Sequence, residues 1–206
     1  MKEIHPADFI SVDISEHDVI EAMKHIPGYI DITPGDFKAV YQFACTFARD
    51  RLLSSLTAEK IMTVPVIFVD QEMPLVEVAE LLAEKHISGC PVVGQQGRIV
   101  GVVSEKDFLK EMGFGVTPSF MQLAVHCLNS KSCMIHKLHN KTVGSIMTTP
   151  PITADTKITI GAISTLFAQH QINRVPIVDN EGKPVGLVSR TDLAHSYQRL
   201  GERAHV

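Results

Sequence analysis

The spacing of apolar and polar residues predicts short strands and amphipathic helices over most of the chain. Residues 67–69 form an apolar run of strand length, and from Pro74 onward apolar residues return at helical spacing. Two more apolar runs, at 91–94 and 99–103, enclose a Gln-Gln-Gly turn and so predict a β-hairpin. A further helix is expected from Lys106. The predicted order of elements in this part of the chain is therefore β-α-β-β-α.

The same order returns 85 positions further along the chain. Residues 57–109 align without a gap with residues 142–194, and about 18 of about 53 positions are identical. Each copy contains Ile-Met-Thr-x-Pro, then Pro-Val-Val or Pro-Ile-Val, and finally Gly-x-Val-Ser-x-x-Asp. A single copy would bury only a marginal core, and a solenoid needs at least three copies. Two copies therefore predict a closed pair related by a pseudo-twofold axis.

The segment before the copies is predicted to be helical. One helix start lies at Ser15, which has Asp18 three residues further on, and a second lies at Thr33, which precedes a proline. The second helix carries an apolar stripe, which we expect to form core or dimer contacts: Phe37, Val40, Tyr41, Ala44, Phe47, Ala48 and Leu52.

The predicted fold belongs to the α/β (α+β) class and has four parts. An N-terminal helical extension at 1–56 precedes a first β-α-β-β-α unit at 57–112. An inserted linker at 113–141 leads to the second unit at 142–206. The linker is too apolar for a solvated tether, so we expect it to pack on the pair of units.

Composition and charge exclude several functional classes. The 206 residues include 19 Lys and Arg against 23 Asp and Glu, and the net charge of −4 disfavours a protein that coats nucleic acid. No apolar run approaches the roughly 18 residues that span a bilayer, and the N-terminus lacks the apolar stretch of a signal peptide. Four cysteines without a C-x-x-C pair favour a reduced, cytoplasmic protein over a disulfide scaffold.

The repeated motifs resemble those of a pair of CBS domains (cystathionine-β-synthase domains), also called a Bateman module. The resemblance covers about 57–109 and 142–195, and its motifs occur twice in the same order. It implies two β-α-β-β-α units with two clefts between them. In this family such clefts commonly hold AMP, ADP, ATP or S-adenosylmethionine. Residues 1–56 look like the extension found on some stand-alone bacterial CBS proteins.

The last motif of each copy has residues that suit a ribose. Asp107 and Asp192 follow an apolar strand at a predicted helix start, and an ionised carboxylate is an acceptor that can take both ribose hydroxyls. Ser104 and Ser189, three residues earlier, can cap the helix or donate to a phosphate oxygen. The simpler interpretation is that Ser-x-x-Asp is only a capping box. Recurrence at one offset and the family resemblance favour a ligand role, and the two roles can coexist.

The resemblance also implies that the first strand of each unit lines an apolar slot for adenine. The matching positions are Thr63, Pro65, Ile67, Thr148, Pro150 and Ile152. A strand that is simply buried at its start is an equally good interpretation of these residues.

The two copies differ in positive charge where a phosphate would lie. Before the proline of the second strand, the second copy has Asn173 and Arg174, whereas the first has Ser-Gly. In nucleotide-sensing CBS modules such as the gamma subunit of AMP-activated kinase, a His-Arg pair at this place reaches phosphates. Arg174 matches the Arg, and Asn173 departs from the His. Arg190 also stands where the first copy has a Glu, although each Arg can equally be a solvated surface charge.

Other chemistry has little support in the sequence. Cys127, Cys133, His136 and His139 lie close together, but the spacing of the two cysteines is wider than in zinc sites. No P-loop, dinucleotide-binding, nucleophile-elbow or zinc-protease motif occurs, and the repeated Ser and Asp lack an obvious His partner. We therefore predict no metal, no catalytic cofactor and no enzymatic activity.

Together these features predict a regulatory module that binds an adenine nucleotide as its ligand. We expect it to signal to a partner protein or within a twofold homodimer, because two units and the helical stripe leave faces available for association. A structural dimerisation module with empty clefts is the main alternative, and an S-adenosylmethionine binder is another.

Overall fold

The computed structural model describes residues 15–25, 31–114, 121–122, 125 and 138–203. Its first two helices begin at the predicted caps. Helix α1 (Glu16–Lys24) follows a serine, and helix α2 (Pro34–Ser55) follows a threonine. Each cap hydroxyl accepts a hydrogen bond from the backbone amide three residues further on, at 3.2 Å in α1 and 3.1 Å in α2. These bonds satisfy amides that the first helical turn leaves without an intrahelical partner.

The first copy folds in the predicted order, with two changes of boundary. It contains β1 (Val69–Asp70), α3 (Leu75–Glu84), β2 (Gly89–Val93), β3 (Ile99–Ser104) and α4 (Glu105–Glu111). Strand β2 pairs in parallel with β1 and antiparallel with β3, which makes a three-stranded sheet. The predicted strand at 67–69 is wrong except for its last residue, because the backbone reaches its partner on β2 only there. Helix α4 begins one residue before Lys106.

The second copy repeats this order with a reduced first strand. It contains α5 (Ile160–His170), β4 (Arg174–Val178), β5 (Pro184–Ser189) and α6 (Arg190–Arg203). Strands β4 and β5 form a two-stranded sheet. Where the first copy has β1, the second has a single parallel bridge, which joins residues 154 and 177. The helices and the hairpin of both copies therefore confirm the predicted order.

Contacts group the described residues into two compact units. The first unit takes those within 1–61, 157–174 and 188–206, and the second takes those within 62–156 and 175–187. In the first unit, α1 packs on α2, α2 packs on α5, and α5 packs on α6. The first unit is therefore mainly helical, and the second holds the three-stranded sheet.

The core of the second unit forms where α3 packs against its sheet. Helix α3 buries Leu75, Val78 and Leu82, which share one face because they recur at helical spacing. The same cluster includes residues of the sheet, of the end of the linker and of the segment after it: Val69, Cys90, Val92, Val103, Leu138 and Val143. Because burying one Leu or Val side chain contributes about 1.5–3 kcal/mol, this cluster is a main source of the stability of the unit.

Inside the second unit, a backbone contact from the first copy to the second is repeated, 85 positions along, by a contact from the second copy to the first. Thr63 of the first copy forms an antiparallel bridge with Leu187 of the second, and Thr148 of the second forms one with Val102 of the first. Each threonine amide donates to the carbonyl of its partner at 2.9 Å. Each copy thus pairs a backbone segment with the last strand of the other. Reciprocal exchange of this kind is what a pseudo-twofold relation requires.

The methionine of each Ile-Met-Thr motif packs on a strand glycine of the other copy. A Cβ added at Gly101 would lie 2.5 Å from Sδ of Met147, and one added at Gly186 would overlap Sδ of Met62. Any larger residue would push the methionine away, so these glycines allow the methionine to pack this closely. The repeated Met and Gly therefore serve the fold, which the motifs alone do not reveal.

Gly144→Ala is expected to destabilise the protein by roughly 1–3 kcal/mol. The Gly144 amide donates to the Gln71 carbonyl at 2.9 Å, and an added Cβ would lie 2.9 Å from that same oxygen. A backbone oxygen cannot retreat without loosening the hydrogen bond. Urea unfolding measures the change. Gly161→Ala is the control and should not destabilise the protein. Its added Cβ would meet nothing nearer than Leu53 at 3.7 Å, and Gly161 lies in a helix, which alanine favours. Equal unfolding midpoints for Gly144→Ala and the unchanged protein would contradict the expected clash.

Helix α2 buries less of its predicted stripe than expected. It runs for 22 residues, and Phe37 and Ala48 are half-buried. Val40, Tyr41 and Phe47 are instead 60%, 41% and 70% exposed. The side chain at position 52 lies outside those described. Neither α2 nor any other helix in the described ranges has the length and apolarity to cross a membrane.

The inserted linker falls largely outside the described residues. Of its apolar side chains that were expected to pack, Met121 and Val125 are exposed, at 65% and 52%. Leu138, near the end of the linker, is buried in the core of the second unit. The expectation for residues 115–120, 123–124 and 126–137 concerns positions that the structure does not describe.

Candidate functional site

A capping turn holds Asp107 at the start of α4. Ser104 ends β3, and both its backbone amide and its hydroxyl donate to Oδ2 of Asp107, each at 2.7 Å. The capping box considered from the sequence is therefore present. It fixes a half-buried carboxylate immediately after a strand of the sheet. The serine therefore holds the carboxylate in one orientation.

A third donor reaches Asp107 from the other copy. The hydroxyl of Thr148 donates to Oδ1 of Asp107 at 2.9 Å. A carboxylate has about four acceptor positions, so these donors leave about one of them, on Oδ1. A ribose that donates with both hydroxyls must therefore take the place of the Thr148 hydroxyl. Ser104, Asp107 and Thr148 form one polar cluster, and all three lie in the second unit.

The positions predicted to line an adenine slot all lie before the first strand of their copy. They are Thr63, Pro65, Ile67, Thr148, Pro150 and Ile152. None is buried: the threonines and prolines are exposed, and the isoleucines are half-buried. Their placement on the first strand is therefore wrong, and so is the alternative of a strand buried at its start. An open segment of this kind leaves apolar surface and backbone groups accessible to a planar base.

Asp192 is held in the same way at the start of α6. The amide and hydroxyl of Ser189 donate to its Oδ2 at 2.7 and 2.6 Å, and its own amide donates to the Ser189 hydroxyl at 3.3 Å. The Arg190 amide then donates to the carbonyl of Asn173 at 3.1 Å. This bond ties the turn that carries Asp192 to the residue before Arg174.

Two cations accompany Asp192 in the first unit. Arg174 is half-buried at the first residue of β4, and Arg190 is exposed at the first residue of α6. The matching residues of the first copy are Gly89 and Glu105. At these two positions only the second copy carries positive charge, whereas the first copy has Lys106 directly before its aspartate, where the second has a threonine.

A separate cavity of about 290 Å³ lies at the hairpin turns in the second unit. Arg98 and Ile99 line it from the first copy, and Glu181 and Gly182 line it from the second. The Ile99 amide donates to the Gly182 carbonyl at 3.0 Å, which joins the two turns. None of the predicted ligand-binding residues lines this cavity. It is therefore distinct from the polar cluster at Asp107.

The metal site weighed from the sequence receives no support from the described residues. Within those ranges, no three His, Cys, Asp or Glu side chains are grouped so that they could hold a metal ion. His139 is exposed. Cys127, Cys133 and His136 lie outside the described residues, so the structure leaves their part of the prediction untested.

The sequence does not indicate the contact between Thr148 and Asp107. The two residues are 41 positions apart and belong to different copies. Their hydrogen bond follows from the backbone bridge that brings residue 148 beside β3. The repeat in the sequence is the signal that could have indicated such a contact. Two copies related by a pseudo-twofold axis must each contact the end of the other.

Comparison with known proteins places both copies in one family of domains. The family model for the CBS domain matches residues 58–113 and 143–199, which is more than half of the chain. The chloroplastic CBS domain-containing protein CBSX1 of Arabidopsis thaliana is 30% identical over 137 residues. These residues make up 62% of this chain and 58% of CBSX1, so the match spans less than two thirds of that relative.

Two solved structures are similar to this fold. The CBS domain of a CBS domain-containing membrane protein from Sphaerobacter thermophilus gives a TM-score of 0.59 at 30% identity. That match covers 76% of this chain and 96% of the other. CBSX2 from Arabidopsis thaliana, solved in complex with AMP, gives a TM-score of 0.56 at 25% identity and covers 70% and 98% of the two chains.

Proposed function

This chain belongs to the CBS domain family, as its repeated motifs predicted, and we propose that it is a regulatory module that binds an adenine nucleotide. The predicted fold, two CBS units after a helical segment, is confirmed by the family match and by the similar structures. In this proposal the nucleotide is a regulatory ligand and takes part in no reaction. It signals to a partner protein or within a dimer by favouring one of two arrangements.

The fixed carboxylate at the end of each copy carries the proposal. At Asp107, a capping serine and the Thr148 hydroxyl already donate to the group, which shows that it accepts hydrogen bonds from two sides. Vicinal ribose hydroxyls are donors of the same kind. The segment from Thr148 to Ile152, exposed as far as Pro150 and half-buried at Ile152, starts at the residue that donates to this carboxylate and offers a surface for the base. The AMP complex of CBSX2, which shares this fold, supports an adenosine ligand.

Arg174 and Arg190 support a phosphorylated ligand. A charge-assisted hydrogen bond from a guanidinium to a phosphate is shorter and stronger than a neutral one. S-adenosylmethionine has no phosphate, and its single carboxylate is offset by a sulfonium cation and an ammonium group, so the same arginines attract it less. We therefore propose AMP, ADP or ATP before S-adenosylmethionine.

The proposal also assigns the protein to a reducing compartment, the cytoplasm. Exposed Cys45 and buried Cys90 are both in the thiol form. Thiols are typical of proteins kept reduced by the cytoplasmic glutathione pool.

Calorimetric and thermal-shift titrations test the function. We expect AMP, ADP or ATP to bind and to raise the unfolding temperature, with a stabilisation of about 2.7 kcal/mol at a hundredfold excess over the dissociation constant. Adenosine should bind more weakly because it has no phosphate. Deoxy-AMP should also bind more weakly, because it lacks one hydroxyl for the carboxylate. GMP is the matched control, since it changes only the base.

Two outcomes would contradict the proposal. If none of the adenosine compounds shifts the unfolding temperature at millimolar concentration, the chain is a structural module for dimerisation. If S-adenosylmethionine binds and AMP does not, the arginines do not serve a phosphate.

A further inference from the structure

Helix α2 presents an apolar face that no other element of the described chain covers. Val40, Phe43 and Phe47 are 60%, 65% and 70% exposed, and Ala44 is exposed as well. Exposed aromatic side chains grouped on one face are unusual on a monomer and mark a place of association. The stretch from residue 39 to residue 48 contains no charged side chain.

These residues share one face with a charge at each end. Successive helical residues turn by 100°, so Asp36, Val40, Phe43, Ala44, Phe47 and Arg51 fall within an arc of about 100°. Asp36 and Arg51 are both exposed. The face therefore has an acidic end, an apolar middle and a basic end.

This pattern is complementary to itself when two copies of the helix run antiparallel. If the twofold axis passes between residues 43 and 44, Val40 lies opposite Phe47 and Phe43 lies opposite Ala44. Each large side chain then faces a smaller one, as close packing requires. The same register places Asp36 opposite Arg51, and it does so twice because the interface is symmetric. Antiparallel helix dipoles add to the attraction.

We propose that this face of α2 is the contact between two copies of the chain, in the antiparallel register centred between residues 43 and 44. The commitment to a second copy rests on the charge pattern, because an unrelated partner or a lipid surface would not require opposite charges at equal distances from the centre. The contact does not depend on nucleotide binding, so the experiments below test it independently of the proposed function.

Phe47→Glu tests the apolar part of the contact. Sedimentation equilibrium of the full chain should show a dimer, and the substitution should raise its dissociation constant by about a hundredfold or more, since it occurs twice in the interface. Gln42→Glu is the matched control: it adds the same charge to the same helix, on the side opposite this face, and should leave the dimer unchanged. Far-UV circular dichroism shows that each variant is folded.

A charge exchange tests the register. Asp36→Arg and Arg51→Asp should each weaken the dimer, because each sets like charges opposite one another. The double variant should restore association to within a few-fold of the unchanged protein. The hydrogen bond from the Thr33 hydroxyl to Asp36 is lost both in Asp36→Arg and in the double variant, so an association stronger in the double variant than in Asp36→Arg cannot come from the helix cap.

Several results would overturn the proposal. The unchanged chain sedimenting as a monomer, whether or not it binds phospholipid vesicles, would exclude a contact between copies. A dimer that survives Phe47→Glu would place the interface elsewhere. If Phe47→Glu does not fold, the charge exchange decides, because a double variant no better than the single ones excludes this register.

Discussion

Asp192→Asn should abolish the nucleotide site that Arg174 and Arg190 make the tighter of the two, whereas Asp107→Asn should leave that site measurable. Both aspartates sit in the same kind of capping turn, and each turn is hydrogen-bonded to the residue before its hairpin, but only in the second copy does that hairpin begin with an arginine, Arg174. A hydrogen bond to a charged group contributes about 1.5–3 kcal/mol, so its loss lowers affinity roughly tenfold or more. Calorimetric titration of the two variants with AMP measures the difference.

Asparagine is the right substitution because the aspartates also cap helices. Its side-chain oxygen can still accept from the Ser189 or Ser104 amide, so the turn is kept while the charge is lost. Unfolding temperatures without ligand show whether the turn has survived. If Asp107→Asn removes the tighter site and Asp192→Asn does not, the assignment of the two sites is reversed.

Arg174→Ala should weaken AMP, ADP and ATP at least about tenfold and leave adenosine nearly unchanged. The physical reason is that adenosine has no phosphate to lose, so it reports only on the base and the ribose. Titrating the variant with adenosine and with AMP separates the two contributions. Arg174→Lys keeps a positive charge without the planar fork and should retain part of the affinity.

The comparison with Arg190 makes this test specific. Arg190→Ala removes an exposed arginine from the start of α6, where the charge is already solvated, and its effect should be the smaller of the two. Equal losses for adenosine and AMP on Arg174→Ala would mean that Arg174, half-buried at the start of β4, supports the fold rather than the phosphate.

Local signals in the sequence predicted the helix starts and the hairpins correctly. Ser15 and Thr33 cap their helices because a hydroxyl can satisfy an amide within the same turn, which needs no distant partner. Gly97, at a backbone φ of +69°, closes the first hairpin for an equally local reason. The Ser-x-x-Asp capping box was likewise recognisable from four residues.

Elements that depend on a distant partner were predicted less well. The first strand begins at Val69, two residues after the predicted start, because pairing with Val92 on β2 decides where the backbone becomes a strand. The periodicity of α2 predicted an apolar stripe but not which of its residues are covered. Its exposed face depends on where α1 and α5 pack, which periodicity does not encode.

The family, the order of elements and the two repeated aspartates were decided by the sequence, because the information lies in short motifs that recur at one offset. The hydrogen bond from Thr148 to Asp107, the packing of Met147 on Gly101 and the exposure of Phe47 were decided by the tertiary structure. Each of these depends on the distance between residues that are remote in the chain or on what covers a surface. Hydrophobic pattern specifies which side of an element is apolar, whereas only packing determines what that side touches.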